Sequence, residues 1–174
     1  IVFDPSTTGA QTASLTITTD DVDEPTVNVA LSGTGLDQEI RVTGGPLSFG
    51  GQDIDEGPST PRSVTIHNDG NAALNFLGAG IAIVGADAAR FAIVNSPPPT
   101  PLAPGANRTV DIAFDPLFAG PRVATLEIVT DDSDETTVSI ALDGTGTDQE
   151  VTVTESLLAF GDRDVAAGPS APLS

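Results

Sequence analysis

The sequence predicts an all-β protein built from repeated units, and three observations support this class. The 174 residues include 18 glycines and 14 prolines but only 4% aromatic residues, a composition that disfavours long helices. Short runs rich in Val, Ile, Thr and Leu alternate apolar and polar positions, with turn residues between them. Residues 1–63 reappear as residues 112–174 with more than half of the aligned positions identical, which defines a 111-residue repeat. Strands spaced this regularly in a unit of that size indicate tandem immunoglobulin-like β-sandwich repeats.

The unit boundaries follow a Gly-Thr-Gly sequence that occurs at 33–35 and again at 144–146. Each copy is followed by Asp-Gln-Glu and a new run of strand-forming residues. We therefore predict three segments. Residues 1–36 are the C-terminal part of one repeat, residues 37–147 are a complete β-sandwich repeat, and residues 148–174 are the N-terminal part of the next.

Within the complete unit the clearest strand is 124–130, where Ala124, Leu126 and Ile128 share one face and polar residues alternate with them. Residues 86–90 predict a single helical turn. In chain order, the predicted strands are 39–43, 47–49, 62–68, 73–76, 81–84, 91–94, 109–114, 124–130 and 137–142.

Composition and charge exclude several classes of function. The formal net charge is −19, and all six basic residues are arginines. Such a chain is not expected to bind nucleic acid or an anionic membrane, since both require clustered Lys and Arg. The sequence has no apolar run long enough to predict a membrane-spanning helix. Tyr and Trp are absent, and the single histidine has no motif for nucleophilic or metal catalysis around it, so we expect no enzyme.

The most concentrated polar feature is an acidic loop at 131–135, which recurs at 20–24 with four carboxylates in five residues. Ca²⁺ takes six to eight oxygen ligands and would relieve the repulsion among these carboxylates. In an immunoglobulin-like sandwich this loop should lie at the pole where the preceding unit joins, near the start of the unit and the 68–71 turn. The alternative is that the loops are solvated hairpin ends, screened by salt. The candidate Ca²⁺ ligands at the junction are Asp37, Glu39, Asp69, Asp131, Asp132 and Asp134.

Several motifs give the chain a family resemblance. The string at 114–146 reads Phe-Asp-Pro, Ala-x-Leu-x-Ile, Asp-Asp and Leu-x-Gly-x-Gly in order, and it is accompanied by motifs at 47–50, 64–70, 85–91 and 102–105. Together these motifs resemble the bacterial choice-of-anchor D domain, which is similar to the ASH (abnormal spindle and hydin) and major-sperm-protein class of immunoglobulin-like domains. The resemblance implies tandem modules of large bacterial surface or secreted proteins, with no catalytic residues.

These observations predict a structural segment of a large extracellular or cell-surface bacterial protein, acting as a stiff spacer or a fibre-forming module. Only a few residues separate one unit from the next, and long Gly/Ser tracts are missing. The expected partners are neighbouring repeats of the same protein, including self-assembly into fibres. The alternative is an adhesin that recognises a surface ligand through its loops. The near identity of the two acidic loops favours the structural role, because adhesin loops are expected to differ between units.

Overall fold

The computed structural model describes residues 1–95, 97–98, 100–151, 153–154 and 159–172. Two short 3-10 turns, Ala88–Arg90 and Val165–Ala167, are the helical elements of this part of the chain, and neither could traverse a lipid bilayer. The ten strands are β1 (Gly9–Thr18), β2 (Thr26–Gly35), β3 (Ile40–Thr43), β4 (Leu47–Asp53), β5 (Arg62–Asn68), β6 (Phe76–Val84), β7 (Phe91–Ile93), β8 (Asn107–Phe114), β9 (Gly120–Thr130) and β10 (Thr137–Thr147).

Strands β3 to β10 form a two-layer sandwich that confirms the predicted immunoglobulin-like class. One sheet has the order β4-β10-β9-β6, and the other has the order β3-β5-β8-β7. β4 pairs parallel to β10, whereas the other neighbours pair antiparallel. Alternate residues of both sheets point into one core, as in β9, where Leu126 and Ile128 are fully buried. Burying each such side chain contributes about 1.5–3 kcal/mol.

Three phenylalanines from both sheets form one end of this core. The ring of Phe114 lies 5.9 Å from that of Phe49 and 4.9 Å from that of Phe91, and the latter two are 5.7 Å apart. All three side chains are buried. Tilted contacts at these distances are favourable for aromatic rings and fix their positions relative to one another.

The predicted strands match the observed ones except in the middle of the unit. Residues 73–76 and 81–84 were expected to form two strands, but β6 runs without interruption through Phe76–Val84, and Leu74 makes only an isolated bridge to Leu102. The two-strand prediction is therefore wrong. Gly78 and Gly80 have φ values of 60° and 67°, so they form an irregularity within β6, where the pairing with β9 shifts, instead of ending the strand. The predicted helical turn is the 3-10 turn Ala88–Arg90.

The hairpin β1–β2 lies outside the sandwich and forms a separate two-stranded sheet. Its pairing runs from Gly9↔Gly35 to Thr18↔Thr26, and β9–β10 pair from Gly120↔Gly146 to Val129↔Thr137. Every pair of the first hairpin is thus displaced by 111 residues from a pair of the second. The first hairpin therefore has the same register as the pair of strands that forms the centre of one sheet of the sandwich.

The apolar face of the first hairpin is bare. Leu15 and Ile17 are 36% and 43% exposed, whereas their counterparts Leu126 and Ile128 are fully buried. Within the described residues, the hairpin therefore carries a core-forming face without the opposite sheet that covers its counterpart. The predicted partial repeat at 148–174 includes residues 152, 155–158 and 173–174, which lie outside the described residues.

The Gly-Thr-Gly sequence has a packing function in both hairpins. A Cβ atom at Gly144 would lie 2.6 Å from the ring of Phe114, and one at Gly33 would lie 2.6 Å from the ring of Phe3. A phenylalanine that precedes each hairpin therefore lies flat against the backbone of its second strand. Only glycine leaves room for this contact.

Candidate functional site

Four residues, Leu36 to Glu39, connect β2 to β3, and the backbone of this linker is held by the turn at 68–72. The Asn71 side chain donates from Nδ2 to the Gly35 carbonyl at 2.9 Å and accepts from the Asp37 amide at Oδ1 at 2.8 Å. In return, the amides of Asn71 and Ala72 donate to the Asp37 carbonyl at 3.0 and 2.9 Å. One exposed asparagine thus contacts the linker on both sides of Leu36.

The turn is itself anchored in the sandwich by Asn68, the last residue of β5. Its fully buried side chain donates to the carbonyls of Ala72 and Leu102, both at 2.8 Å, and accepts from the Gly70 amide. A Cβ atom at Gly70 would lie 2.4 Å from the Asp37 carbonyl oxygen. Since buried polar groups must be hydrogen-bonded, Asn68 fixes one conformation of the turn, and Gly70 lets the linker approach it.

The acidic loop between β9 and β10 contacts Ile40, the first residue after the linker, through Asp132. Its carboxylate accepts from the Ile40 amide at 2.8 Å and from the Asp134 and Glu135 amides at 3.2 and 3.3 Å. Asp132 is fully buried. Burial raises the pKa of Asp132, but hydrogen bonds from the Ile40 amide and from Asp134 and Glu135 outweigh this and leave the pKa below its ordinary value. The folded structure therefore stabilises the ionised form of the Asp132 side chain.

Three acidic side chains meet around this contact. Carboxylate oxygens of Glu39, Asp132 and Asp134 lie within 4.8 Å of one another. Partial desolvation raises the pKa of Glu39, and the negative charges of Asp132, Asp134 and neighbouring acids add to the effect. A hydrogen bond shared with Asp132 raises the pKa of Asp134. The group is therefore a place of concentrated negative charge, where a cation or a proton would be stabilised.

The structure assigns other contacts to the remaining acidic residues that the sequence singled out. Asp69 forms an ion pair with Arg41, which lowers the pKa of Asp69. Asp131 accepts from the Asn75 amide at 2.8 Å and from its side chain at 2.6 Å. Asp37 contacts the turn through its backbone. Of the six candidate ligands, the structure brings Glu39, Asp132 and Asp134 together, and Asp69 and Asp131 are engaged elsewhere.

A second acidic group lies at the opposite end of the complete unit. Carboxylate oxygens of Asp55, Asp148 and Glu150 also lie within 4.8 Å of one another. The amide of Ile54 donates to the Thr147 carbonyl at 2.9 Å, which holds the loop after β4 beside the end of β10. Asp148 and Glu150 are the repeat counterparts of Asp37 and Glu39. The repeat offset is thus the sequence signal that relates the two groups.

Sequence reasoning missed Asn71, Asn75 and Arg41. Asn71 stands in a turn motif that the sequence shows clearly, but its partners Gly35 and Asp37 are far from it along the chain. Arg41 and Asn75 bind the carboxylates of Asp69 and Asp131, which the sequence had placed in the predicted cluster. The pattern of acidic residues alone does not contain these pairings.

No protein-family profile matches the chain, and no curated protein matches it. Solved structures match in fold. A Porphyromonas gingivalis W83 protein of unknown function is 15% identical, with a TM-score of 0.50 over 83% of this chain and 69% of that one. The ASH/PapD-like domain 7 of human CEP192 is 18% identical, with a TM-score of 0.46 over 64% of this chain and 87% of that one. The secreted protease VesC of Vibrio cholerae is 25% identical, with a TM-score of 0.43 over 64% of this chain and 23% of that one. The similarity to the Porphyromonas protein supports the fold alone.

Proposed function

We propose that this chain is a segment of a tandem array of immunoglobulin-like units that serves as a non-catalytic, stiff spacer or fibre-forming module. The observation that carries the proposal is the hairpin β1–β2, which repeats the register of β9–β10 and exposes the face that its counterpart buries. A hairpin of this kind is marginally stable alone and needs a second sheet. A preceding segment with the same fold as residues 37–111 would supply that sheet.

The short, hydrogen-bonded linker supports stiffness. Flexible spacers contain solvated Gly/Ser tracts, whereas the backbone from Gly35 to Ile40 is bonded to two different loops of the next unit. The resemblance to choice-of-anchor D domains supports an extracellular or bacterial cell-surface location and neighbouring repeats as the principal partners. The charge of −19 supports a role without nucleic acid.

Completing the first unit tests this proposal. Residues 37–111 placed directly before Ile1 would supply the missing part of the repeat, since residue 111 precedes Ile112, the counterpart of Ile1. We expect the amides of β1 and β2 to exchange with solvent as slowly as those of β9 and β10 in the completed protein, and much faster in the original chain. Unchanged fast exchange in the hairpin of the completed protein would refute the tandem arrangement.

We also propose that Ca²⁺ stiffens the junction. Because Glu39 and Glu150 are repeat counterparts, the two acidic groups are complementary parts of one junction. Combining the two groups through this shared glutamate gives five candidate carboxylates, one from the loop after β4, two from the linker and two from the acidic loop of the following unit. This donor set suits a hard cation that prefers oxygen ligands, and it would neutralise the repulsion that raises the pKa of Glu39.

Thermal unfolding of the completed protein tests the calcium proposal. We expect Ca²⁺ to raise the melting temperature, because an ion that binds only the folded junction stabilises it by mass action. The paired substitution Glu39→Gln and Asp134→Asn should abolish the increase. Asp69→Asn is the matched control, since Asp69 is paired with Arg41 and its loss should leave the increase unchanged. If calorimetry detects no heat of binding and Ca²⁺ does not change the melting temperature, the acidic loops are only solvated.

A further inference from the structure

We infer that residues 68–72, here called the docking turn, form an interaction surface for the chain segment that leaves the preceding unit, and that this contact fixes the angle between consecutive units. The inference rests on the proposed tandem arrangement and adds the contact that makes such an array stiff. The partner is a segment of this same protein with the pattern Gly-x-Asp-Gln-Glu, found at 35–39 and again at 146–150.

The docking turn contacts this segment mainly through backbone atoms of the linker. Five hydrogen bonds join the two: two through the Asn71 side chain, two from the amides of Asn71 and Ala72 to the Asp37 carbonyl, and one from the Asp69 amide to the Glu39 carbonyl at 2.8 Å. The bonds engage Gly35, Asp37 and Glu39, which are alternate residues. A contact that is distributed along the segment in this way restrains both its position and its direction.

Gly70 makes the close approach to the docking turn possible, and Gly35 makes a close approach within its own unit possible. Gly70 faces the Asp37 carbonyl on the turn side. Gly35 is buried on the linker side, where a Cβ atom would lie 2.0 Å from the Thr7 carbonyl oxygen. Gly146 has the corresponding contact with the carbonyl of Phe118, the counterpart of Thr7. The glycine that begins the second copy of the segment is therefore packed against the residues before its own hairpin in the same way.

Asn71 is the residue on which the inference can be tested, and Asn75 provides the matched control. Both are asparagines of the same loop region; the Asn71 side chain makes two hydrogen bonds and the Asn75 side chain makes one. Asn71 contacts the linker, whereas Asn75 contacts Asp131 within the same unit. Asn71→Ala removes two of the five bonds and should therefore loosen the linker around Leu36, whereas Asn75→Ala leaves all five in place.

The chain contains no cysteine. In the completed protein, whose first hairpin has its second sheet, nitroxide labels can therefore be attached to paired cysteine substitutions at the exposed residues Ser14 and Ser139 of the original 174 residues. Pulsed electron resonance then measures the distance between the hairpin and the sandwich. We expect a narrow distribution in the otherwise unchanged completed protein and in its Asn75→Ala variant. In Asn71→Ala the distribution should broaden by a few ångströms, less than the roughly 10 Å spread of a wholly free linker of this length, because three backbone bonds remain.

A second variant tests whether the broadening depends on the individual hydrogen bonds of the Asn71 side chain. Asn71→Asp keeps an acceptor for the Asp37 amide but removes the donor to the Gly35 carbonyl, so intermediate broadening is expected. A distribution in Asn71→Ala as narrow as in the unchanged completed protein would overturn the inference, as would a broad distribution before any substitution at residue 71. The tandem arrangement is tested separately by amide exchange in the completed protein, so either idea can fail without the other.

Discussion

Replacing Gly144 by alanine is expected to lower the free energy of unfolding by about 2–3 kcal/mol, which is typical of overpacking a well-packed core. The new Cβ atom would lie 2.6 Å from the Phe114 ring. That ring cannot move aside, because it is fully buried and in contact with Phe49 and Phe91. Urea unfolding of the 174-residue chain measures the effect, and the melting temperature should fall by roughly 10 °C.

Two glycines are controls for this prediction. Gly51→Ala also places a methyl group on a strand, but its nearest neighbour is a Thr147 side-chain carbon at 3.4 Å, an ordinary contact. Gly33→Ala reproduces the clash in the first hairpin, where Phe3 is 52% exposed and free to shift. Both controls should change stability little. If Gly144→Ala is no more destabilising than Gly51→Ala, the packing explanation of the Gly-Thr-Gly sequence is wrong.

The sequence predicts the fold well wherever one periodic pattern decides the structure. The strand at 124–130 alternates apolar and polar residues, and β9 buries Ala124, Leu126 and Ile128 as expected. The prediction fails in β6, where residues that include Gly78 and Gly80 separate the two segments expected to be strands. Two glycines with positive φ form an irregularity instead, and β9 supplies a continuous partner on either side of it. Tertiary pairing there overrides the local signal.

The candidate site could be predicted in location but not in detail. The position of the acidic loop within a β-sandwich was enough to place it beside the start of the unit, where Asp132 now contacts Ile40. Which carboxylates remain available depends on donors that come from elsewhere in the chain. Arg41 is hydrogen-bonded to Asp69 and Asn75 to Asp131. Neither pairing can be predicted from the density of acidic residues in the sequence. Long-range pairings of single polar side chains leave no periodic trace in the sequence.

Replacing Asp132 by alanine is expected to lower the free energy of unfolding by about 3 kcal/mol, because a buried charged acceptor is removed and its donors lose their partner. The amides of Ile40, Asp134 and Glu135 all donate to this carboxylate. Loss of the first of these bonds frees the start of β3, and loss of the other two removes the internal order of the acidic loop. Thermal unfolding and amide exchange at Ile40 measure the two consequences separately.

Asp134→Ala distinguishes this structural role from a general effect of charge. Asp134 lies two residues away, is exposed, and has a pKa raised by the hydrogen bond it shares with Asp132. Its removal relieves repulsion without removing an acceptor from a buried amide, so stability should stay constant or increase slightly. Equal losses in the two variants would mean that the loop contributes only negative charge. A loss confined to Asp132→Ala, with faster exchange at Ile40, identifies Asp132 as the residue that joins the acidic loop to the start of the unit.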